Sequence, residues 1–297
     1  MYHYQAYGFS IRSDIALPAP EAESTDAPSL TIAKVDYIDA NGEAIGPFAQ
    51  SGADWIAYSV PGVVQFHVSR NDGIRYVPAA GGDDASIATF LINSALPCAA
   101  MLAGRIGLRG TALAKREETL LLIGLPAKGK SSTAAALVQR GYSVLGDGVC
   151  VLDAEGHLLP GLGTITLPDD AVIELGLPAD DVVRTRPGVD RSHWPQTTAP
   201  GPAPRNARHI YQLIVHTQDR IDFSEVRGAE RLNMLRACTF RPAELTRYGL
   251  QQNVLAAGAA ISATAQLRRA WRPVKDCPPA VFAERIMADI ADTKESR

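Results

Sequence analysis

Gly124, Gly129, Lys130 and Ser131 stand at the spacing G-x-x-x-x-G-K-[ST], inside the run GLPAKGKSS. A loop of this type wraps phosphate oxygens with backbone N–H groups and the N-terminus of the following helix. On this pattern Gly124, Leu125, Pro126, Ala127, Lys128, Gly129, Lys130, Ser131 and Ser132 form the binding loop. Lys130 neutralises β- and γ-phosphate oxygens, and the Ser131 hydroxyl is a ligand for Mg²⁺. Ala127 stands where many such loops have a further glycine, and it fits there if its φ is negative. Lys128 either adds a second cation beside the phosphates or points into solvent. Asp147 ends the segment YSVLGD only sixteen residues after Ser131. There it is either a turn former or the acid that completes a metal site, and the flanking Gly146 and Gly148 permit close approach of a ligand.

These residues need a strand before the loop and a helix after it. GLRGTALAKREETLLLIG reads as two strands joined by a polar turn at AKREE. The helix is expected from about Lys130 to Arg140 and ends at Gly141. The strand YSVLGD follows, and GVCVLDAEGHLLP continues with a turn at DAEG. Residues 1–83 read as a β-rich module, with strands in YHYQAYGFSIRS, SLTIAKVDY, DWIAYSV and VVQFHVSR. Residues 84–297 are then the core that carries the loop. The Arg184–Arg208 stretch is rich in Pro, Thr and Arg and reads as a long loop. IYQLIVHT is a further strand, the chain from about Glu230 turns helical through VLAAGAAISATAQL, and PPAVFAERIMADIAD closes it as an amphipathic helix.

Composition excludes several functions. The chain has 297 residues, 46% of them hydrophobic, with a formal net charge of -3, so it can build real cores and carries no basic footprint for nucleic acid. Cys98, Cys150, Cys238 and Cys277 form no CxxC pair and read as reduced core cysteines. The start of the chain lacks the plan of a signal peptide. From Ala85 to Gly104 the chain is uncharged over a membrane-span length, but it is Ala-rich and interrupted by Asn93, Ser94 and Pro97. A helix buried against a sheet is expected there, capped by Asp84 or Ser86, in a soluble cytoplasmic protein.

GLPAKGKSSTAAALVQRGYSVLGDGVCVLD resembles the phosphate-loop region of the HPr kinase/phosphorylase family, and more closely its short relatives that phosphorylate lasso-peptide precursors. The resemblance is strongest over residues 105–175. Looser similarity lies in YHYQAYGFSIRSDIALP, GLGTITLPDDAVIELGL and AWRPVKDCPPAVFAERI. It implies an α/β (α+β) fold with a P-loop kinase core shared with phosphoenolpyruvate carboxykinase. It implies ATP and Mg²⁺ as donor and metal, and a peptide or protein bearing an acceptor serine as partner. By that resemblance Asp147 takes both carboxylate roles, base and metal ligand.

The sequence departs from the family in two places. Gly148 replaces the second acid of an Asp-Asp pair, with Asp153 the nearest other carboxylate in sequence. Arg109 stands where the family commonly has His; an Arg can stabilise phosphate charge but cannot act as a base. Arg109 either faces the site or is a surface arginine on an edge strand. Resemblance selects Arg191 in VDRSHW as a mobile phosphate- or substrate-facing cation and, more weakly, Arg241. Arg184, Arg186 and Arg205 are further cations of the Arg184–Arg208 stretch, most of them expected to be solvated. His193 and Trp194 either grip a peptide or cover the core. The expected activity is transfer of the γ-phosphoryl group to the C-terminal serine of a lasso-peptide precursor. Kinase action on another hydroxyl, and a nucleotide-binding regulatory module without turnover, remain open, as does assembly into an oligomer.

Overall fold

A computed structural model describes residues 1–295 apart from Ser24, Thr198 and Ala199. It is a mixed α/β protein built on three sheets. The first eight strands are β1 (Tyr2–Ala6), β2 (Phe9–Ser13), β3 (Ser29–Lys34), β4 (Glu43–Gly46), β5 (Ala49–Ser51), β6 (Trp55–Val60), β7 (Val64–Ser69) and β8 (Gly73–Pro78). They form one sheet in the order β1-β2-β3-β8-β7-β6-β5-β4. The β-rich leader was legible in the sequence, whereas β4, β5 and β8 add strands the pattern did not mark.

Asp83 opens the next element. Its carboxylate accepts the Ser86 N–H at 2.8 Å and the Ser86 hydroxyl at 2.7 Å, so the N-cap is Asp83 and not Asp84 or Ser86. Helix α1 (Asp84–Phe90) runs through a π-helical turn at Leu91–Ala95 into α2 (Leu96–Leu102). This apolar stretch is long enough to cross a membrane, yet 72% of it is buried inside the protein. Ile87, Leu91, Leu96 and Leu102 pack with Ile11, Phe66 and Ile74 of the first sheet, and also with Val149, Val151 and Phe240 from further along the chain. The helix that begins at the expected boundary, 83/84, therefore supplies core to both sides of it.

The sheet that carries the loop uses β9 (Ile106–Lys115), β10 (Glu118–Ile123), β11 (Ser143–Gly146), β12 (Val149–Leu152) and β13 (His157–Leu159). Helix α3 (Lys130–Val138) follows β10. Next come β14 (Thr164–Pro168), α4 (Asp169–Glu174), β15 (Val183–Arg184), β16 (Arg191–Pro195), β17 (Arg205–Asn206), β18 (His209–His216), β19 (Asp222–Glu225), α5 (Glu230–Ala237), α6 (Pro242–Arg247), α7 (Gln251–Thr264), β20 (Gln266–Pro273) and α8 (Pro279–Glu295). The sheet order is β17-β13-β12-β9-β10-β18-β20-β19, with β11 also on β9. β10 is central and buried on both faces: Leu121 and Ile123 meet Leu235 and Ile261, while Leu120 and Leu122 meet Ala134, Phe282 and Ile286.

Two expectations change. The Arg184–Arg208 stretch is not one long loop: β16 pairs antiparallel with β14 and β15 in a small sheet of its own. That pairing joins residues far apart in sequence, which local composition does not report. The helix expected through VLAAGAAISATAQL stops at Thr264, and QLRRAWRP becomes β20, parallel to β18. All four cysteines are buried and unbridged.

Because Leu96 is fully buried in the shared helix, Leu96→Ala should cost about 2–5 kcal/mol in urea denaturation. A loss near zero would show that this helix does not hold the core together.

Candidate functional site

The loop between β10 and α3 turns on three left-handed or positive-φ residues, Gly124 at 140°, Ala127 at 57° and Gly129 at 84°. A Cβ on Gly124 would lie 3.0 Å from the Leu213 carbonyl, which explains the glycine there. Ala127 does not have the negative φ that its residue type favours. It takes up a conformation costing roughly 1 kcal/mol, held by the loop around it. Gly129 is the N-cap of α3, whose first turn carries neither an acidic residue nor a side-chain cap. The first N–H groups of that helix are therefore free to meet an anion.

Asp147 sits at a break in a strand edge. β11 and β12 lie one after the other on the same edge of β9, with a bulge near Val144–Gly146 and with Asp147 and Gly148 between them. The Gly110 N–H donates to the Gly148 carbonyl at 3.1 Å, which closes the gap. A bulge re-aims a side chain, and here it turns Asp147 toward the loop. Ser131 Oγ donates to Asp147 at 3.0 Å from Oδ1 and 3.1 Å from Oδ2. The buried Thr111 hydroxyl donates to Oδ1, and the Thr166 N–H donates to Oδ2 at 2.9 Å. The structure thus brings Ser131 and Asp147, the two residues expected to share a metal, within hydrogen-bond distance of each other. Asp153 is no second carboxylate here; it caps its own turn through the His157 N–H at 2.7 Å.

Two clefts meet at Lys130 and Ser131. One, of about 470 Å³, runs from the loop past Pro168 to Val215, Arg272 and Val274. The other, of about 380 Å³, runs from Asp147 and Arg109 past Asn93 to Thr89 and Arg186. Lys128 lines the first, and Arg191 lines both. Lys130 Nζ donates to the Leu125 carbonyl at 2.7 Å, across its own loop. Burial lowers its pKa, and the nearby Asp147 charge partly offsets that.

The arginines sort differently from the sequence reading. Arg109 does face the site: it lines the second cleft, its guanidinium 5.5 Å from the Phe240 ring centroid. Arg191 lies not in a mobile linker but at the start of β16, where Nη2 reaches the Thr166 carbonyl at 3.5 Å. Arg186 also lines the second cleft, over the Phe90 ring. Arg184 is bound to Asp169 at 2.8 Å, and Arg205 donates to the Arg116 carbonyl at 3.2 Å. Arg241 pairs with Glu244 at 2.8 Å and packs by Tyr58 and Phe240, so it serves packing and lines neither cleft. His193 and Trp194 lie against the core. Trp194 packs on the core beside α3, and His193 is buried.

Sequence reasoning gave no site role to Thr89, Asn93 or Thr166, and offered His193 a different one. His193 bridges Thr89 Oγ1 at 2.9 Å and Thr166 Oγ1 at 3.1 Å, linking the wall of the second cleft to the residue that holds Asp147. Thr89 Oγ1 lies 2.7 Å from the Thr185 carbonyl, to which its single proton can go. It then accepts from His193 Nε2–H, leaving Nδ1 to accept from Thr166. Asn93, on the π turn, donates to the Thr89 carbonyl at 2.9 Å, and π turns are frequent at functional sites. A Cβ on Gly148, at φ 81°, would lie 3.0 Å from Asn93 Oδ1. Asn93 thus crowds any side chain placed at position 148. The available signal was a polar Asn in an otherwise apolar helix.

Two outcomes follow from this geometry. Gly148→Asp should cost about 1 kcal/mol or more, from left-handed backbone strain and the facing Asn93 oxygen. Adding Asn93→Ala should recover part of that loss; additive losses in thermal melts would remove the crowding argument. For His193, burial first and the Arg191 cation second push the ring down to about 4 from 6.5. The folded ring stays neutral where the unfolded chain takes up a proton. Stability held above the unfolded value is therefore lost as pH falls from 6.5 towards 4, by about 1.4 kcal/mol per unit. Urea titrations of wild type and His193→Gln across that window should differ by this slope, and parallel profiles would reject the assignment.

Comparison with models of known protein families, and separately with curated proteins, finds no match for this chain.

Proposed function

We propose that this protein is a kinase that transfers the γ-phosphoryl group of Mg-ATP to a serine hydroxyl of a peptide. The favoured acceptor is the C-terminal serine of a lasso-peptide precursor, as the resemblance to HPr-kinase-related proteins implies. The observation that carries the reading is the meeting of Ser131 and Asp147 at 3.0 Å where two clefts join at a helix N-terminus. A phosphoryl transfer needs this layout: donor on one side, acceptor on the other, positive charge between them.

The residues suit the groups that the reading requires. The α3 N-terminus offers uncapped N–H groups to phosphate oxygens, with Lys130 at its first position. Ser131 and Asp147 offer hard oxygen ligands of the kind Mg²⁺ takes, and Mg²⁺ in such sites uses one or two carboxylates, so the single Asp147 is sufficient. Bound there, Mg²⁺ would supply positive charge to offset that of the donor phosphates. Arg191, which borders both clefts, and Arg109, on the acceptor side, would counter the charge on the group in flight. Asp147 is the one carboxylate lining the acceptor cleft among the described residues, so the hydroxyl proton has that destination. Thr111 and Thr166 would hold the carboxylate in place for it.

One observation favours a second reading, a nucleotide-binding regulatory module without turnover. Both Asp147 oxygens already accept hydrogen bonds, from Thr111, Ser131 and Thr166. Intact-mass spectrometry separates the two. Incubation with Mg-ATP and a synthetic precursor peptide ending in serine should add one phosphate. Asp147→Asn should slow this at least about 10²-fold while leaving nucleotide binding in place. Turnover undiminished in Asp147→Asn would sink the catalytic role, and nucleotide bound without transfer to this or any other hydroxyl would favour the regulatory reading.

A further inference from the structure

The larger cleft holds a cation that the loop motif does not contain. Arg272 is the seventh residue of β20, paired in register with Val215 of β18, at the end of the sheet where the loop lies. Its Nη2 donates to the Cys277 carbonyl at 2.8 Å, and the guanidinium lies 5.8 Å from the Phe282 ring centroid. These contacts aim Nη1 over the loop, so close that a Cβ on Gly129 would overlap it. Its buried Nε has no hydrogen-bond partner among the described residues.

This placement is costly without a ligand. A helix N-terminus already carries partial positive charge, and cations near it are unfavourable. Here Lys128, Lys130 and Arg272 surround the start of α3, whose first turn has no acid, and no acidic side chain among the described residues lines this cleft. Charge gathered in this way is compensated by an anion with several oxygens. The far wall is of another kind: Pro168, Val215, Pro273 and Val274 present apolar surface, with Val274 60% exposed. A nucleoside base can lie against such a wall, but no side chain on it reads a base edge.

We propose that Arg272 is a further phosphate-binding residue, and that the donor nucleotide is selected through its phosphate chain while its base rests unread on the apolar wall. The proposal deepens the kinase reading by specifying how the donor is chosen, and it rests on that reading for the presence of a nucleotide.

Equilibrium competition against a fluorescent ATP analogue, with Mg²⁺ and no acceptor, tests it independently of turnover. ATP, GTP, CTP and UTP should compete within about fivefold of one another, and AMP far more weakly, since charged hydrogen bonds are each worth about tenfold or more. Arg272→Gln should narrow the ATP-to-AMP preference by about tenfold, and Arg272→Lys should restore part of it, since a point charge without the planar fork remains. A merely structural Arg272 would weaken ATP and AMP alike, and that result overturns its assignment; if Arg272→Gln fails to fold, an unchanged preference in Arg272→Lys does the same. Strong preference for one base overturns the second half. Arg272-dependent binding without transfer to any hydroxyl would remove only the kinase reading, whereas transfer that ignores Arg272 would remove only this proposal.

Discussion

The Asp147 carboxylate is the point on which three different elements converge. Thr111 reaches it from β9, Ser131 from the first turn of α3 and Thr166 from β14, and each donates a hydrogen bond. A carboxylate has roughly four acceptor positions, so three donors fix its direction and leave little freedom to rotate. The hydrogen bond from Ser131 ties the helix start to the strand break, and the one from Thr166 ties the small β14–β16 sheet to the large one. Removal of this carboxylate would leave a buried threonine hydroxyl without its acceptor and uncouple the elements that frame both clefts.

The apolar helix from Asp84 to Leu102 has two duties that pull against each other. Its aliphatic residues fill the core shared by the first sheet and the loop-bearing sheet, which demands continuous close packing. Its Thr89, Phe90 and Asn93 form a wall of the second cleft, which demands polar atoms in the same segment. The π-helical turn at Leu91–Ala95 reconciles the two. An extra residue in the turn rotates the later positions, so that Asn93 meets the cleft while Leu91 and Leu96 remain fully buried. A membrane-span reading fails for the same reason: the apolar face is already covered by protein.

Legibility followed the range of the determining interactions. The loop, α3 and the strand that stops just before Asp147 depend on near neighbours in sequence, and the sequence marked each of them, although α3 stops at Val138, short of the expected Arg140. Gly124 and Gly129 were legible because backbone geometry selects glycine locally. Ala127 was misjudged because the surrounding loop overrides its local preference and holds φ at 57°. β16 and β20 are made by pairing with β14 and β18, so their Pro- and Arg-rich sequences resembled loop or helix end. Arg272 and Thr166 reach the site only through that pairing, and Thr111 through the pairing of β9 with β10 and β11. Arg186 and Arg241 were exchanged in importance, since one is aimed by Phe90 and the other by Glu244, contacts that sequence position does not encode.

The distribution of charge sets the balance between stability and site. The chain as a whole is slightly acidic, yet Lys128, Lys130, Arg109, Arg186, Arg191 and Arg272 border two adjoining clefts that contain one carboxylate among the described residues. Repulsion within such a set lowers the stability of the empty protein, and burial of Lys130 adds to that cost. Elsewhere arginines are matched to acids, as Arg268 is to Asp289 at 2.7 Å and Arg140 is to Glu284. Local rules broken in this way are expected at functional sites. On the kinase reading the compensating partner would be a multiply charged anion held at the start of α3 and shared between the two clefts. Its binding would relieve a repulsion that the β-sheet framework and the buried α1–α2 helix otherwise have to withstand.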